Sequence, residues 1–295
     1  MNTDIIEKAS AFIRVHPWFL FMTEHAHPTL TQQLMSIYDR LHRHYGHEPH
    51  WWPLFTTNWR WEVFLGAVLV QQTQWERVEQ AIMRLDAAGL VDERALAAAP
   101  VEQIREAIRP VAYYNAKAPS LKKLAQYVVD HYNGDVARLF DQPTAQLRQE
   151  LLRLPHVGPE TADTLLVYAG HHDSFVIDAY LRRIFARLGT ILNVERLPYE
   201  VLRRVFEDAL PTDLDLQAYP HLRNSRARLF WDYHSLIVEH GIHHCLPRRP
   251  RCDQTSAPRR PFAQPIKCAA HCPPCSGCPL RDVCAAYQTG VASTS

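Results

Sequence analysis

Apolar residues along this chain recur at steps of three and four, the spacing of helices buried on one face. Leu30, Leu34, Ile37, Tyr38, Leu41 and Tyr45 form one stripe, and Trp61, Phe64, Leu65, Val68 and Leu69 form a second. Val78, Ile82 and Leu85 predict a third helix ending near Gly89. Ala95–Ala99 and Ile104–Ile108 predict two short helices divided by Pro100. Ser120–Tyr132 predicts a longer one that stops before Asn133-Gly134. Val176, Ile177, Tyr180, Leu181, Ile184, Phe185 and Leu188 repeat as a stripe closed by Gly189, and Phe230–Val238 is the last long apolar helix. No segment alternates as a strand, so the expected fold class is all-α. No apolar run approaches the ~18 residues of a membrane span.

One turn between these stripes carries chemistry. Leu147, Leu151 and Leu152 have helical spacing, and Leu154-Pro155 closes that segment because proline disfavours helix in the residue before it. Gly158 is expected to take a positive φ in the tight turn. Pro159 stands where a new helix begins, its missing N–H costing nothing at the first position. Leu165, Leu166, Tyr168 and Ala169 continue the apolar face. Such a turn aims the N–H groups of a helix start at an anion, and a DNA phosphate suits it. On these residues alone, an ordinary corner between two helices is the other reading.

Composition adds little at the level of the whole chain and more locally. With 295 residues, 47% of them hydrophobic, a sizeable core in one or two domains is expected. A net charge of +1 does not announce a polyanionic partner. Between Cys245 and Cys284, however, six Arg and one Lys face two Asp, a net of +5 that suits phosphate contacts or simply a solvated loop. Seven cysteines lie between 245 and 284 in a chain whose start, with Asp4, Glu7 and Lys8, has no signal-peptide apolar region. A cytoplasmic protein, nucleoid-associated if bacterial, is expected, and the cysteines then argue for metal rather than disulfides.

The hairpin Leu154-Pro-His-Val-Gly-Pro-Glu-Thr161, followed by Asp178 within Phe175-Val-Ile-Asp-Ala-Tyr180, resembles the helix-hairpin-helix DNA glycosylases of the endonuclease III superfamily. Further segments follow that family's order over roughly residues 30–285. Phe64–Trp75 resembles the stretch leading to its DNA-inserting Gln, here Gln71. Arg109–Ala118 resembles its internal helix connection, and Glu239–Cys245 the run into its iron–sulfur loop. The resemblance implies two helical lobes: residues 1–60 with 173–295, carrying the cluster loop, and an inserted domain, 61–172, carrying the hairpin. Residues 1–28 have no counterpart, 253–266 read as an inserted loop, and the tail after Tyr287 as disordered. The implied partner is double-stranded DNA with a damaged base, bound by a monomer through Gln71, His156, Gly158, Glu160 and Thr161.

The resemblance also sets the reaction expected. Bifunctional members carry lysine where this chain has Glu160, and a carboxylate has no amine to form the sugar imine. Lys117 and Lys122 have no motif support for that role. Asp178 then remains as the catalytic group, stabilising positive charge on the deoxyribose and orienting water, although a bare helix cap is its plain alternative. Glu160 with Trp51-Trp52-Pro53 resembles the 3-methyladenine glycosylase branch, where these residues line the base pocket. Trp51 and Trp52 read equally well as core residues, and Glu160 as a first-turn acid facing solvent. The expected activity is hydrolytic excision of an alkylated purine. Oxidised pyrimidines or mismatches, and a non-catalytic DNA-binding homologue, are the alternatives.

Cys275-x2-Cys278-x5-Cys284 resembles the last three ligands of the family's [4Fe–4S] loop. Cys245 is the preferred first ligand, with Cys268 a rival at the same spacing from Cys275. Cys245 also stands at the family's spacing before Cys252. Zinc is the alternative metal. Cys252, Cys268 and Cys272, with His271 or His244, are a further candidate second site.

Overall fold

A computed structural model describes residues 28–49, 51–215, 217–253 and 277–290. The described residues are helical, with no strand among them, and the chain divides into two compact units: Met1–Trp51 with Ile177–Ser295, and Trp52–Val176. The segments read above as an unmatched start (1–28), an inserted loop (253–266) and a tail lie almost wholly outside the described residues.

In the first unit, α1 (Leu30–Tyr45) buries the expected stripe of Leu34, Ile37, Tyr38, Leu41 and Tyr45. Its start is fixed by a capping box, in which Thr29 Oγ1 accepts from Gln32 N–H and Gln32 Oε1 accepts from Thr29 N–H. The partner of α1 is α12 (Arg226–His243), which is buried along almost its whole length, longer at both ends than Phe230–Val238. Between them in sequence come α10 (Ala179–Leu188) and α11 (Tyr199–Ala209). The Val176 stripe becomes helix only from Ala179, because Asp178 is extended and caps it. α10 packs on α12 where Gly241 admits the Tyr180 ring. A Cβ on Gly241 would stand 2.3 Å from Tyr180 Cδ1, so any side chain there forces the two helices apart. A short helix, α13 (Ala285–Gln288), closes the described chain against α10.

The second unit holds eight helices among its described residues. α2 (Trp59–Leu69) is buried from Trp61 through Leu69, as befits a helix apolar on all sides. Its one buried acid, Glu62, accepts the N–H groups of Phe55 and Thr56 at 2.7 Å each, so the charge is spent on the preceding loop. Around it come α3 (Trp75–Ala87), α4 (Glu93–Ala98), α5 (Val101–Ala107) and α6 (Tyr114–Tyr132). α6 starts at Tyr114, six residues before the sequence pattern suggests, and runs through Pro119. Lys117, on that added turn, is buried, and its Nζ donates to Leu69 O, Gln71 O and Thr73 Oγ1. The amine thereby satisfies carbonyls that the end of α2 leaves open. α7 (Val136–Phe140), α8 (Thr144–Leu151) and α9 (Pro159–Tyr168) complete the unit.

Candidate functional site

The hairpin is α8, the turn 152–158 and α9, all within the second unit. The left-handed residue of the turn is His156, at φ 61°, and not Gly158, which is extended at φ −87° and ψ 179°. The positive φ expected at Gly158 is therefore displaced two residues back. Gly158 serves instead as the helix N-cap, and a Cβ placed on it would meet nothing within 4 Å. The space before the first turn of α9 is open. Pro159 occupies the first helical position, so the N–H groups of Glu160 and Thr161 are the ones directed at that space.

Gln71, Gln72, His156, Gly158, Glu160 and Thr161, with Leu154 and Val157, line one groove of about 530 Å³. All five residues expected to touch DNA are thus brought together. Gln71 is not a free side chain: its Nε2 donates to His156 O at 2.8 Å and to Thr161 Oγ1 at 3.0 Å. Glu160 is exposed in the first helical turn, at the rim of the groove. Lys122 donates to Ala99 O, and burial lowers the Lys117 amine to about 8. Both lysines are anchored to the backbone of this unit.

What stiffens the hairpin is a pair that periodicity does not reveal. Asp163, fully buried on α9, accepts Nε of Arg148 at 2.7 Å and its Nη2 at 2.9 Å, so that α8 and α9 are joined by a two-pronged bond. Ser174 Oγ donates to Asp163 Oδ1 at 2.6 Å. The available signal was an acid amid Ala162, Leu165 and Leu166 on a buried face, which demands a cation nearby.

Asp178 lies in the other unit. It is buried, and its Oδ1 accepts Leu181 N–H at 2.7 Å as the N-cap of α10. Its Oδ2 is 3.6 Å from His234 Nε2, an imidazole buried on α12. His234 is met in turn by the edge of the Trp51 ring, with centroids 6.2 Å apart, and Trp51 Nε1 donates to Glu239 Oε1 at 2.8 Å. Trp51, His234 and Asp178 therefore form one continuous set in this unit. His234 was not anticipated, since a histidine on an apolar stripe has no distinctive spacing. Trp52 falls in the second unit, where it packs beside Trp75, Tyr168 and Gly66. The two tryptophans fall in different units.

Cys245, Cys252, Cys278 and Cys284 line one small cavity with Ile184, Leu188, Leu280, Arg187, His240 and His244. Burial pushes the Cys252 thiol up to about 11, helped by Cys284 and Cys245, and the Cys278 thiol up to about 12, helped by Cys252 and Cys245. Burial raises Cys284 as well. Arg187 Nη1 donates to Cys245 Sγ at 3.1 Å, and its guanidinium also holds Leu246 O and Pro247 O. Cys268, Cys272, Cys275 and His271 lie outside the described residues.

An all-α chain of two units has a hairpin whose second helix starts on an open groove in one and a capped, buried carboxylate near the His234 imidazole in the other. Residues 65–207 match the model of the HhH-GPD superfamily base excision DNA repair proteins. A candidate DNA repair glycosylase of Methanocaldococcus jannaschii is 38% identical over 223 residues, 75% of this chain and 92% of that protein. Endonuclease III homolog 1 of Arabidopsis thaliana, a chloroplastic protein, is 30% identical over 205 residues, 68% of this chain and 48% of its own length. Among solved structures, the Helicobacter pylori 3-methyladenine DNA glycosylase bound to 1,N6-ethenoadenine has a TM-score of 0.55 at 25% identity, covering 72% of this chain and 95% of that one. A trapped endonuclease III–DNA intermediate shares the fold, with a TM-score of 0.60 at 20% identity over 90% of this chain and all of its own, 100%. The chain belongs to the HhH-GPD superfamily of base excision DNA repair proteins, as a DNA glycosylase closely related to endonuclease III-like proteins. No helix among its described residues is long and apolar enough to cross a membrane.

Proposed function

We propose that this chain is a monofunctional DNA glycosylase that hydrolyses the bond between deoxyribose and an alkylated purine. The observation that carries the reading is the set Trp51, His234 and Asp178: a buried carboxylate with one oxygen fixed by a cap bond and an aromatic ring one side chain away. Leaving of the base puts positive charge on the sugar, and a fixed anion stabilises that charge and orients the attacking water. An alkylated purine is itself cationic, so it needs little acid assistance and is attracted to an aromatic face by about 0.5–2 kcal/mol. Glu160 in the lysine's place leaves no nucleophilic amine in the hairpin, which supports hydrolysis without strand nicking. The hairpin groove, for its part, grips backbone phosphate while the nucleotide is extruded at a cost of a few kcal/mol.

The second reading is excision of an oxidised pyrimidine or a mismatched base. It is favoured by kinship, since several relatives at 25–34% identity bear the name endonuclease III. A panel of duplexes, each with one lesion, decides between the two. The expected result is release of 3-methyladenine ahead of oxidised pyrimidines and mismatches, with strand breaks only after alkali. Preference for an oxidised pyrimidine or a mismatch would replace the first reading by the second.

The cofactor proposed is a [4Fe–4S] cluster held by Cys245, Cys252, Cys278 and Cys284. The fit rests on four sulfurs around one largely apolar cavity; the thiols of Cys252, Cys278 and Cys284, raised by burial, become thiolates only with a metal to neutralise them. When bound, the cluster supplies a fold for the basic loop rather than a step of the reaction. This set takes Cys252 in place of Cys275. Iron content should therefore collapse in Cys252→Ser and persist in Cys275→Ser, whereas the reverse pattern restores Cys275.

A further inference from the structure

Lys117, in the first turn of α6, is a buried charge that the reading above leaves without a part. Its place is an unfavourable one for a lysine. A cation near a helix N-terminus meets the positive end of the dipole, and burial adds a desolvation cost. Its partners explain why it is held there. Nζ donates to Leu69 O at 2.9 Å, Gln71 O at 2.7 Å and Thr73 Oγ1 at 3.3 Å. An ammonium has three donors and no lone pair, so three acceptors match it.

These acceptors belong to the end of α2 and the turn that joins it to α3. Gln72 in that turn is left-handed, at φ 55°, a conformation that a residue other than glycine keeps only where its neighbours over-determine it. Thr73 N–H donates to Val70 O at 2.9 Å. Thr73 Oγ1 donates to Gln71 O at 3.2 Å and accepts Ala112 N–H at 3.1 Å. The Gln71 carbonyl is thus gripped twice, by Lys117 and by Thr73. The Gln71 side chain runs the other way, with Nε2 donating to His156 O at 2.8 Å and Thr161 Oγ1 at 3.0 Å on the hairpin. Gln71, Gln72, His156 and Thr161 all line the same groove.

We propose that Lys117 is a positioning residue of the duplex-binding groove, its ammonium fixing the 70–73 turn so that Gln71 bridges to the hairpin. The inference rests on the reading of that groove as the surface that grips DNA. Lys117 touches no substrate and acts through the main chain of Gln71. Without the amine, the carbonyls of Leu69 and Gln71 lose a charge-assisted donor, and Gln72 loses part of what holds it left-handed. The Gln71 amide then loses its register against His156 O and Thr161 Oγ1. One wall of the groove has to be ordered on binding instead of beforehand, and that cost lowers affinity.

A double-mutant cycle between Lys117→Met and Gln71→Ala in the full-length protein tests this. The readout is affinity for a labelled duplex in which a tetrahydrofuran replaces one nucleotide, measured well below the Tm of each variant. Lys117→Met, similar in length but without donors, is expected to weaken binding about tenfold in the otherwise native chain and less than about twofold in the Gln71→Ala background. A general loss of stability would instead cost the same factor in both. Thr73→Val keeps the side chain's size and removes only the hydroxyl, so it carries the test if Lys117→Met does not fold; a smaller loss, again absent beside Gln71→Ala, is expected. Equal losses in the two backgrounds, or unchanged affinity in Lys117→Met, would overturn the role of Lys117 while leaving the groove reading intact. Absence of duplex binding by the native chain would overturn the groove reading and the proposal with it.

Discussion

Asp178→Asn is expected to slow base excision by about 10²–10⁴-fold while leaving the fold and duplex binding intact. The substitution is discriminating because Asp178 has one job in the fold and a second only in the proposed reaction. As N-cap it accepts Leu181 N–H through Oδ1, and asparagine caps a helix as well as aspartate does. Stability should therefore change by no more than a few tenths of a kcal/mol. In the proposed reaction its carboxylate would face the developing cation of the sugar, a role asparagine cannot fill. Single-turnover excision and a binding titration on the same lesion duplex separate the two jobs. An Asn variant with full activity would confine Asp178 to the cap.

Asp163→Ala is expected to destabilise the second unit by about 3–5 kcal/mol, measured by denaturant unfolding. The loss arises less from the missing attraction than from Arg148, whose guanidinium would be left mostly buried without its two acceptors, while Ser174 would lose its acceptor too. A double variant, Arg148→Met with Asp163→Leu, should recover most of that loss, because an apolar pair of similar size carries no desolvation penalty. Duplex affinity should fall in Asp163→Ala even below its unfolding midpoint, since the pair fixes α8 against α9 and hence the groove lined by His156, Gly158 and Thr161. Equal loss in the single and double variants would mean that packing, not the uncompensated charge, dominates.

The parts of the molecule legible in the sequence are those with a period or a punctuation mark. The stripe of α1 and the run through α2 are visible as spacing, and Leu154-Pro155 with Gly158-Pro159 marks the hairpin. Contacts between elements far apart in sequence leave no such trace. Arg148 and Asp163 meet because two helices fold back, and His234 nears Asp178 because α10 packs on α12. The left-handed residue of the hairpin is misplaced by a glycine rule, because His156 bears the positive φ and Gly158 needs only an open face. α6 begins six residues before the expected Ser120, because the helix continues through Pro119. The cysteines show the limit of spacing most plainly. Cys252 and Cys275 each follow another cysteine after six intervening residues; the cavity includes Cys252, and Cys275 lies outside the described residues.

In the proposed reaction, water takes the sugar beside a carboxylate, with no amine to capture it. Incubating the protein with a duplex bearing one alkylated purine, in the presence of borohydride, puts this to the test directly. Free base, an intact abasic strand and no protein–DNA cross-link are predicted; a trapped cross-link, or no base released from any lesion, would contradict it.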